Sequence, residues 1–396
     1  MNARIASLLL AFGALTLADV CAQSVDPLAL QRARAIQLKQ RGEKIFYTKK
    51  FDLSGLPEYK PSAQMTGTIR QWGSNYLADS KLAKYFEDGF RHYHPGVKFE
   101  TNLLSTFVGM GALYMDRADI AAMGRRPTWD EYQAYQRVFN ALPVEIAMAS
   151  GSFNVPGWTF ALVVMVHKDN PISQMTFEQV DGIFGAERDG GWNGNMWDPT
   201  KARGPEKNIR TWGQLGLTGE WAGHGINVYG FNLNYHFPRD FAENIFSGGY
   251  KWNEKMHEYS NKARPDGKGL IGAGDQMVEA LGRDRYGITY GSAAFLTPSV
   301  KLLALARTAA GPYVTPTLET VQDKSYPLSR EVYYLANRAV GQKIEPLFRE
   351  YLRYVVSRQG QTEVMRDGKY LPLTAELARQ QLEELEKIGE ASRSLE

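Results

Sequence analysis

Serine and threonine hydroxyls at points where a strand turns into a helix, with a carboxylate and two guanidinium groups close by in the chain, are the groups of this sequence best placed to do chemistry. Residues 97–130, VKFETNLLSTFVGMGALYMDRADIAAMGRRPTWD, hold most of them. Ser105 and Thr106 form a small-residue turn, Asp119 stands at the start of a second strand, and Arg125 and Arg126 follow in a Gly-Arg-Arg-Pro exit. Gly73 and Ser74 open a helix after an earlier strand, and a third strand-to-helix turn carries Asn232, Asn234, Tyr235 and His236. Hydroxyls at helix N-termini, where backbone N–H groups point outward, suit the capture of a small anion. Each group also has an ordinary structural use. Ser74, Ser105 and Thr106 serve as helix caps, Asp119 pairs with Arg117 or Arg125, the arginines lie in solvent, and an asparagine-rich turn needs no ligand.

Such turns must be held by alternating strands and helices, and the pattern supplies them. A strand over 68–72 precedes a helix expected to run to about Tyr93. Residues 97–99 and 118–123 read as strands around a helix over 108–115, so two strand ends point the same way. Thr128 and Glu131 form a capping box after Pro127, and Thr176 and Gln179 form another. The apolar runs 144–149 and 160–167 read as the first crossing between two lobes, and Gly287 to Gly291 as a strand returning toward the first. Residues 186–224, rich in Gly, Trp, Asn and Asp, read as a long ordered surface loop anchored by Trp192, Trp197, Trp212 and Trp221. A closing helix carries Leu347, Tyr351, Leu352 and Val355, and a charged helix over 374–388 ends the fold.

Composition narrows the class. The chain is 43% hydrophobic and 22% charged, and 46 basic against 43 acidic side chains give +3, too balanced for a nucleic-acid binder. Arg4 and the apolar run 5–17 read as an export signal, too short to span a bilayer, with cleavage expected after Ala22. The one cysteine is Cys21. A lipoprotein reading of Cys21 competes with ordinary cleavage, but Val20 occupies the position before it, where a smaller residue is expected. Cleavage after Ala22 leaves about 370 residues without cysteine, enough for two or three domains or lobes. Residues 23–63 read as an N-terminal extension packed on the surface or used for contacts. The G-x-S-x-G, G-x-x-x-x-G-K and H-E-x-x-H signatures are absent, and His92 and His94 read as solvated rather than metal-bound. The chain is therefore expected to be a binding protein, not an enzyme, with no metal or cofactor.

The order of landmarks resembles the periplasmic phosphate-binding proteins of ABC transporters, a family of type II solute-binding proteins, over residues 66–373. The landmarks are Gly73-Ser74; Ser105-Thr106; Ala118-Asp119-Ile120-Ala121 with Arg126-Pro127; Leu162-Val163-Val164 with Asn170-Pro171; Thr176 and Phe184-Gly185; Gly287-Ile288 with Tyr290; Tyr326-Pro327-Leu328; and Tyr370-Leu371-Pro372-Leu373. The resemblance implies an α/β, two-lobe fold, each lobe a mainly parallel sheet flanked by helices and joined by two crossing strands. Lobe 1 takes 64–147 and 295–373, lobe 2 takes 148–294, and residues 374–396 form a C-terminal helix. It also implies capture of phosphate or a related oxyanion for the membrane subunits of a transporter, by a monomeric periplasmic protein. Position by position, Ser74, Ser105 and Asp119 match the family, Asp119 as the carboxylate that accepts the proton of hydrogen phosphate. The third loop departs: the family's arginine and Ser-Gly-Thr are replaced by Tyr229-Gly230-Phe231-Asn232-Leu233-Asn234-Tyr235, leaving Arg125 or Arg126 to supply the cation. A second reading follows from that departure, a binding fold without transport that serves as a sensor, scaffold or surface partner.

Overall fold

The computed structural model describes residues 28–30, 32–33, 35–36, 46–155 and 159–392. The expected signal segment and its cleavage after Ala22 lie outside the described residues.

In the first lobe the chain runs β1 (Thr66–Gly73), α1 (Asn75–Asp79), α2 (Leu82–Tyr93), β2 (Gly96–Asn102), α3 (Thr106–Tyr114), β3 (Ile120–Met123), α4 (Trp129–Phe139) and β4 (Val144–Ser150). The helix expected to run unbroken to Tyr93 is two helices, because Ser80 caps the first and Lys81 takes a left-handed turn at φ 70°. Both expected capping boxes form. Glu131 accepts from the Thr128 N–H at 2.8 Å, and Thr176 opens its helix in the same way.

The second lobe begins with β5 (Val163–His167), followed by β6 (Gln174–Thr176), α5 (Phe177–Phe184) and the tryptophan-rich loop. It continues through β7 (Asn227–Phe231), α6 (His236–Ile245), β8 (His257–Tyr259), α7 (Ala273–Leu281), β9 (Gly287–Gly291), β10 (Val300–Leu302) and β11 (Ala304–Ala306). After α8 (Leu318–Gln322) the chain re-enters the first lobe as β12 (Glu331–Ala336), and α9 (Pro346–Val356), α10 (Arg358–Asp367) and α11 (Ala375–Glu386) close it.

The two five-stranded sheets have the orders β2-β1-β3-β12-β4 and β8-β7-β9-β5-β10. In the first, β12 is antiparallel to both neighbours; in the second, β5 is. Each odd strand is the one that has just crossed from the other lobe, and it takes the same fourth place in its sheet. The remaining strands run one way, so their C-terminal ends gather at one edge of each sheet, where α/β sheets place ligands.

The return crossing differs from expectation. Residues 287–291 form β9 in the middle of the second sheet, wholly buried, with Tyr290 against Phe184 and Phe241. β10 and β11 pair with β5 and β6 of the second lobe, so the chain comes back only with β12. A short apolar strand buried on both faces looks the same in a sequence whether it is central or crossing.

The N-terminal extension is also more deeply set than a surface segment. Leu53, Leu56 and Tyr59 join the core of the first lobe. The Tyr59 hydroxyl donates to Glu350 Oε1 at 2.9 Å and lies 2.6 Å from His94 Nε2. His94, expected in solvent, is fully buried there, its Nδ1 accepting from the Met65 N–H. The Tyr47 hydroxyl accepts from the Phe153 N–H at 2.7 Å, beside the first crossing. In the tryptophan-rich loop, Trp212 and Trp221 are buried anchors, as expected, while Trp197 is about half exposed.

Candidate functional site

Gly73 sets the geometry at the edge of the first sheet. It sits at φ +134°, and a Cβ there would lie 2.0 Å from the Ala122 carbonyl oxygen, so only glycine lets β1 end this close to β3. The close approach lets the Ser74 N–H donate to Ala122 at 2.7 Å and the Ser105 N–H donate to Gly73 at 2.8 Å. Two strand-to-helix turns are thereby fixed beside the end of β3.

Three hydroxyls converge on that end. A Cβ built on Gly124 would meet Thr159 Oγ1 at 3.1 Å, Thr106 Oγ1 at 3.2 Å and Ser74 Oγ at 3.5 Å. All three side chains are buried or nearly so. Thr106 Oγ1 accepts from the Gly124 N–H and Thr159 Oγ1 donates to the Gly124 carbonyl. Ser74 and Ser105 cap α1 and α3 as well, accepting from the Tyr76 and Phe107 N–H groups. The ordinary use of these residues and a place beside a ligand are thus both present in the geometry.

The second lobe brings the first turn of α6 to the same spot. His236 packs on Tyr76 with ring centres 5.8 Å apart, Phe237 stacks on Phe160 at 4.6 Å, and the Arg239 guanidinium lies over Phe107 at 6.0 Å. Tyr235, the N-cap of α6, makes no side-chain cap, so the first N–H groups of this helix have no capping partner from it. Arg330, just before β12, ties the parts together. It donates to the Gly124 and Phe160 carbonyls, each at 3.3 Å, and pairs with Asp240 of α6. Two helix N-termini, one from each lobe, therefore face one another beside buried hydroxyls and two guanidinium groups. Partial positive charge at both helix ends adds to the formal charge of Arg239, which forms no ion pair with a carboxylate among the described residues, whereas the charge of Arg330 is balanced by Asp240. Such a site favours an anion.

Of the expected residues, Gly73, Ser74, Ser105 and Thr106 come together, with Arg125 close by. Arg125 is buried, but Glu131 takes its charge in a two-pronged pair at 2.7 and 3.0 Å, and only its Nε lacks an acceptor. Arg126 turns away toward Glu145, at 3.3 Å, with its side chain 64% exposed. Burial pushes the Glu145 carboxyl above its ordinary pKa, against the pull of Arg126 and Tyr132.

Asp119 is not at the site. It lies at the other end of β3, where it accepts from the Arg70 N–H at 2.8 Å, Nε at 3.2 Å and Nη2 at 2.6 Å. Five residues of strand at ~3.3 Å each separate it from Gly124 by about 16 Å. Its partner is Arg70, not Arg117 or Arg125. Asn232 folds back on its own turn, accepting from the Asn234 N–H, and the Tyr235 hydroxyl accepts from Asn261. These side chains shape the turn before α6 instead of pointing to the hydroxyls. Thr159, Arg239 and Arg330 were not foreseen. Their only local sign is position: Thr159 opens an apolar run, Arg239 sits one turn into a helix, and Arg330 precedes a strand.

Next to Arg330, which donates to the Gly124 carbonyl, the lobes form a cleft of about 450 Å³, lined by Arg125, Arg239, Asp240, Lys324 and Arg330 and bounded on one side by Trp192; Ser74, Thr106 and Thr159 are not part of its lining. Trp129 of α4 stacks on Trp192, with ring centres 4.2 Å apart and planes 3° from parallel, joining the first lobe to the loop of the second. Among the described residues there is no group of three or more His, Cys, Asp or Glu placed to hold a metal ion, and no helix long and apolar enough to cross a membrane.

Residues 61–359 match the family model of the PBP superfamily domain. The chain is 29% identical over 330 residues to the phosphate-binding protein PstS of Pseudomonas aeruginosa, covering 83% of this chain and 90% of that one. Among solved structures it is similar in fold to PstS from Borrelia burgdorferi, with a TM-score of 0.50, 16% identity, and coverage of 78% of this chain and 99% of that one.

Proposed function

The chain belongs to the PBP superfamily, and from that premise we propose that it is an exported solute-binding protein that captures phosphate or a related oxyanion between its lobes and delivers it to the membrane subunits of an ABC transporter. The observation that carries this is the meeting of the α3 and α6 N-termini, one from each lobe, around the hydroxyls of Ser74, Thr106 and Thr159 and the guanidinium groups of Arg239 and Arg330. A tetrahedral oxyanion offers acceptors in every direction and suits a shell made of donors. The 29%-identical relative named as a phosphate-binding protein supports the same ligand class. The N-terminal apolar run supports export and a periplasmic place of work. Because donors come from both lobes, the anion is itself a bridge, and its binding energy favours the closed state.

Calorimetric titration of inorganic phosphate into the purified protein, previously unfolded and refolded to strip bound anions, tests the proposal. One site per chain is expected, lost when Arg239 and Arg330 are both replaced by methionine. A refolded protein that takes up no phosphate, sulfate or phosphate ester would reject it.

A further inference from the structure

The cleft lined by Arg239 and Arg330 is larger than an inorganic oxyanion needs. A water molecule takes ~30 Å³ of liquid, so a tetrahedral anion of five heavy atoms fills roughly two or three water volumes. The cleft offers about 450 Å³, within the range of sites that hold organic ligands. It also continues. A second chamber of about 510 Å³ shares Arg126, Tyr132, Gly194, Lys324, Glu331 and Tyr333 with the first.

The two chambers differ in charge. Six basic side chains line the first against three carboxylates; Arg125, Arg126, Lys324 and Arg330 pair with Glu131, Glu145, Glu331 and Asp240, which leaves Arg239 and Arg307 to meet an anionic head. In the second, Arg126, Lys324 and Lys387 stand against Glu145, Glu331 and Glu384, so the charges balance. A balanced chamber attracts neither a second phosphate nor an ammonium group. Its hydrogen-bonding capacity is nonetheless high and of both kinds. Glu331 accepts from Tyr333 and pairs with Lys324 at 2.7 Å, and Glu145 accepts from Tyr132 and pairs with Arg126, which leaves each carboxylate with lone pairs to spare. The Arg126 guanidinium, largely exposed, supplies donors. Hydroxyls, which both donate and accept without net charge, suit this chamber. An apolar tail would cover the spare lone pairs and donors without pairing them.

Building on the anion-binding function proposed above, we infer that the protein takes a polyol phosphate monoester, a glycerol phosphate or sugar phosphate, with its phosphate in the first chamber against Arg239 and Arg330 and its hydroxylated part in the second chamber. The ester binds more tightly than inorganic phosphate because it fills both chambers.

Calorimetric titration of the full mature chain with inorganic phosphate, glycerol 3-phosphate and glucose 6-phosphate tests this. At least one ester is expected to bind tenfold or more tightly than inorganic phosphate. Arg126→Ala, at an exposed side chain, and Glu145→Gln, which keeps shape but removes charge, should each cut the ratio of ester to phosphate affinity at least threefold. Phosphate binding equal to or tighter than that of both esters would overturn this inference and leave phosphate capture intact. A preferred ester whose margin survives both substitutions would overturn the placement in the second chamber. Binding of none of the three would overturn both proposals.

Discussion

Gly124→Ala probes the site at its centre. The new methyl carbon would stand 3.1 Å from Thr159 Oγ1, 3.2 Å from Thr106 Oγ1 and 3.5 Å from Ser74 Oγ, in the space that the three hydroxyls share. Gly124 is not among the glycines with positive φ, so alanine suits its backbone. The hydroxyls need shift only by tenths of an ångström, and the loss of chain entropy in the unfolded state offsets part of the crowding. The stability change should stay within about 1 kcal/mol. Binding should suffer far more. The Thr159 proton is held by the Gly124 carbonyl, so Thr106 and Ser74 are the hydroxyls left to donate; a hydrogen bond to a charged group contributes ~1.5–3 kcal/mol, and masking both removes ~3–6 kcal/mol. At ~1.4 kcal/mol per tenfold, that is a loss of roughly 10² to 10⁴ in affinity. Urea melts paired with calorimetric titration of phosphate measure both sides. A folded Gly124→Ala protein that binds phosphate within threefold of the native affinity would refute the placement of the anion among these hydroxyls.

Three further outcomes follow from contacts elsewhere. Asp119→Asn keeps an acceptor for the Arg70 N–H but loses the ion pair; since Arg70 is a third exposed and keeps Asp116, the stability loss should be ~1–2 kcal/mol by denaturant melt, and the ratio of phosphate to sulfate affinity should not move. Trp129→Ala removes the stack that joins α4 of the first lobe to Trp192 of the second; aromatic pairs contribute ~0.5–1.5 kcal/mol beyond their buried area, so closure weakens and apparent phosphate affinity should fall about two- to tenfold by calorimetry. Burial pushes the Asp367 carboxyl up to about 7 in the folded protein, against the pull of Lys369. The folded chain therefore holds this proton more tightly than the unfolded one, and stability from this group is present below pH ~4, declines as pH rises to ~7 and is flat above. Asp367→Asn should flatten that slope, gaining up to about 4 kcal/mol at pH 8 relative to pH 4, read from melts at both pH values.

The fold was largely legible because its signals are local. Capping boxes at Thr128 and Thr176, the hydroxyl turns at Ser74 and Ser105, and alternating apolar runs lie within a few residues of the structure they set. The site was legible only in its first-lobe half. Thr159 and Arg330 meet Gly124, and Arg239 meets Phe107, from distant parts of the chain, and nothing within a few residues of any of them marks the meeting. Asp119 misled for a physical reason: five residues from Gly124 is near along the chain, yet a strand is extended, and that interval carries the carboxylate to the opposite edge of the sheet. The return crossing was misplaced because β9 is buried on both faces, as a crossing strand also is.

Small-angle X-ray scattering of the anion-free protein, titrated with phosphate, tests capture between the lobes most directly. Donors from α3 on one lobe and α6 on the other should draw the lobes together, so the radius of gyration should fall and level off at one equivalent bound. A radius unchanged across phosphate, glycerol 3-phosphate and glucose 6-phosphate would contradict a site that closes on its ligand.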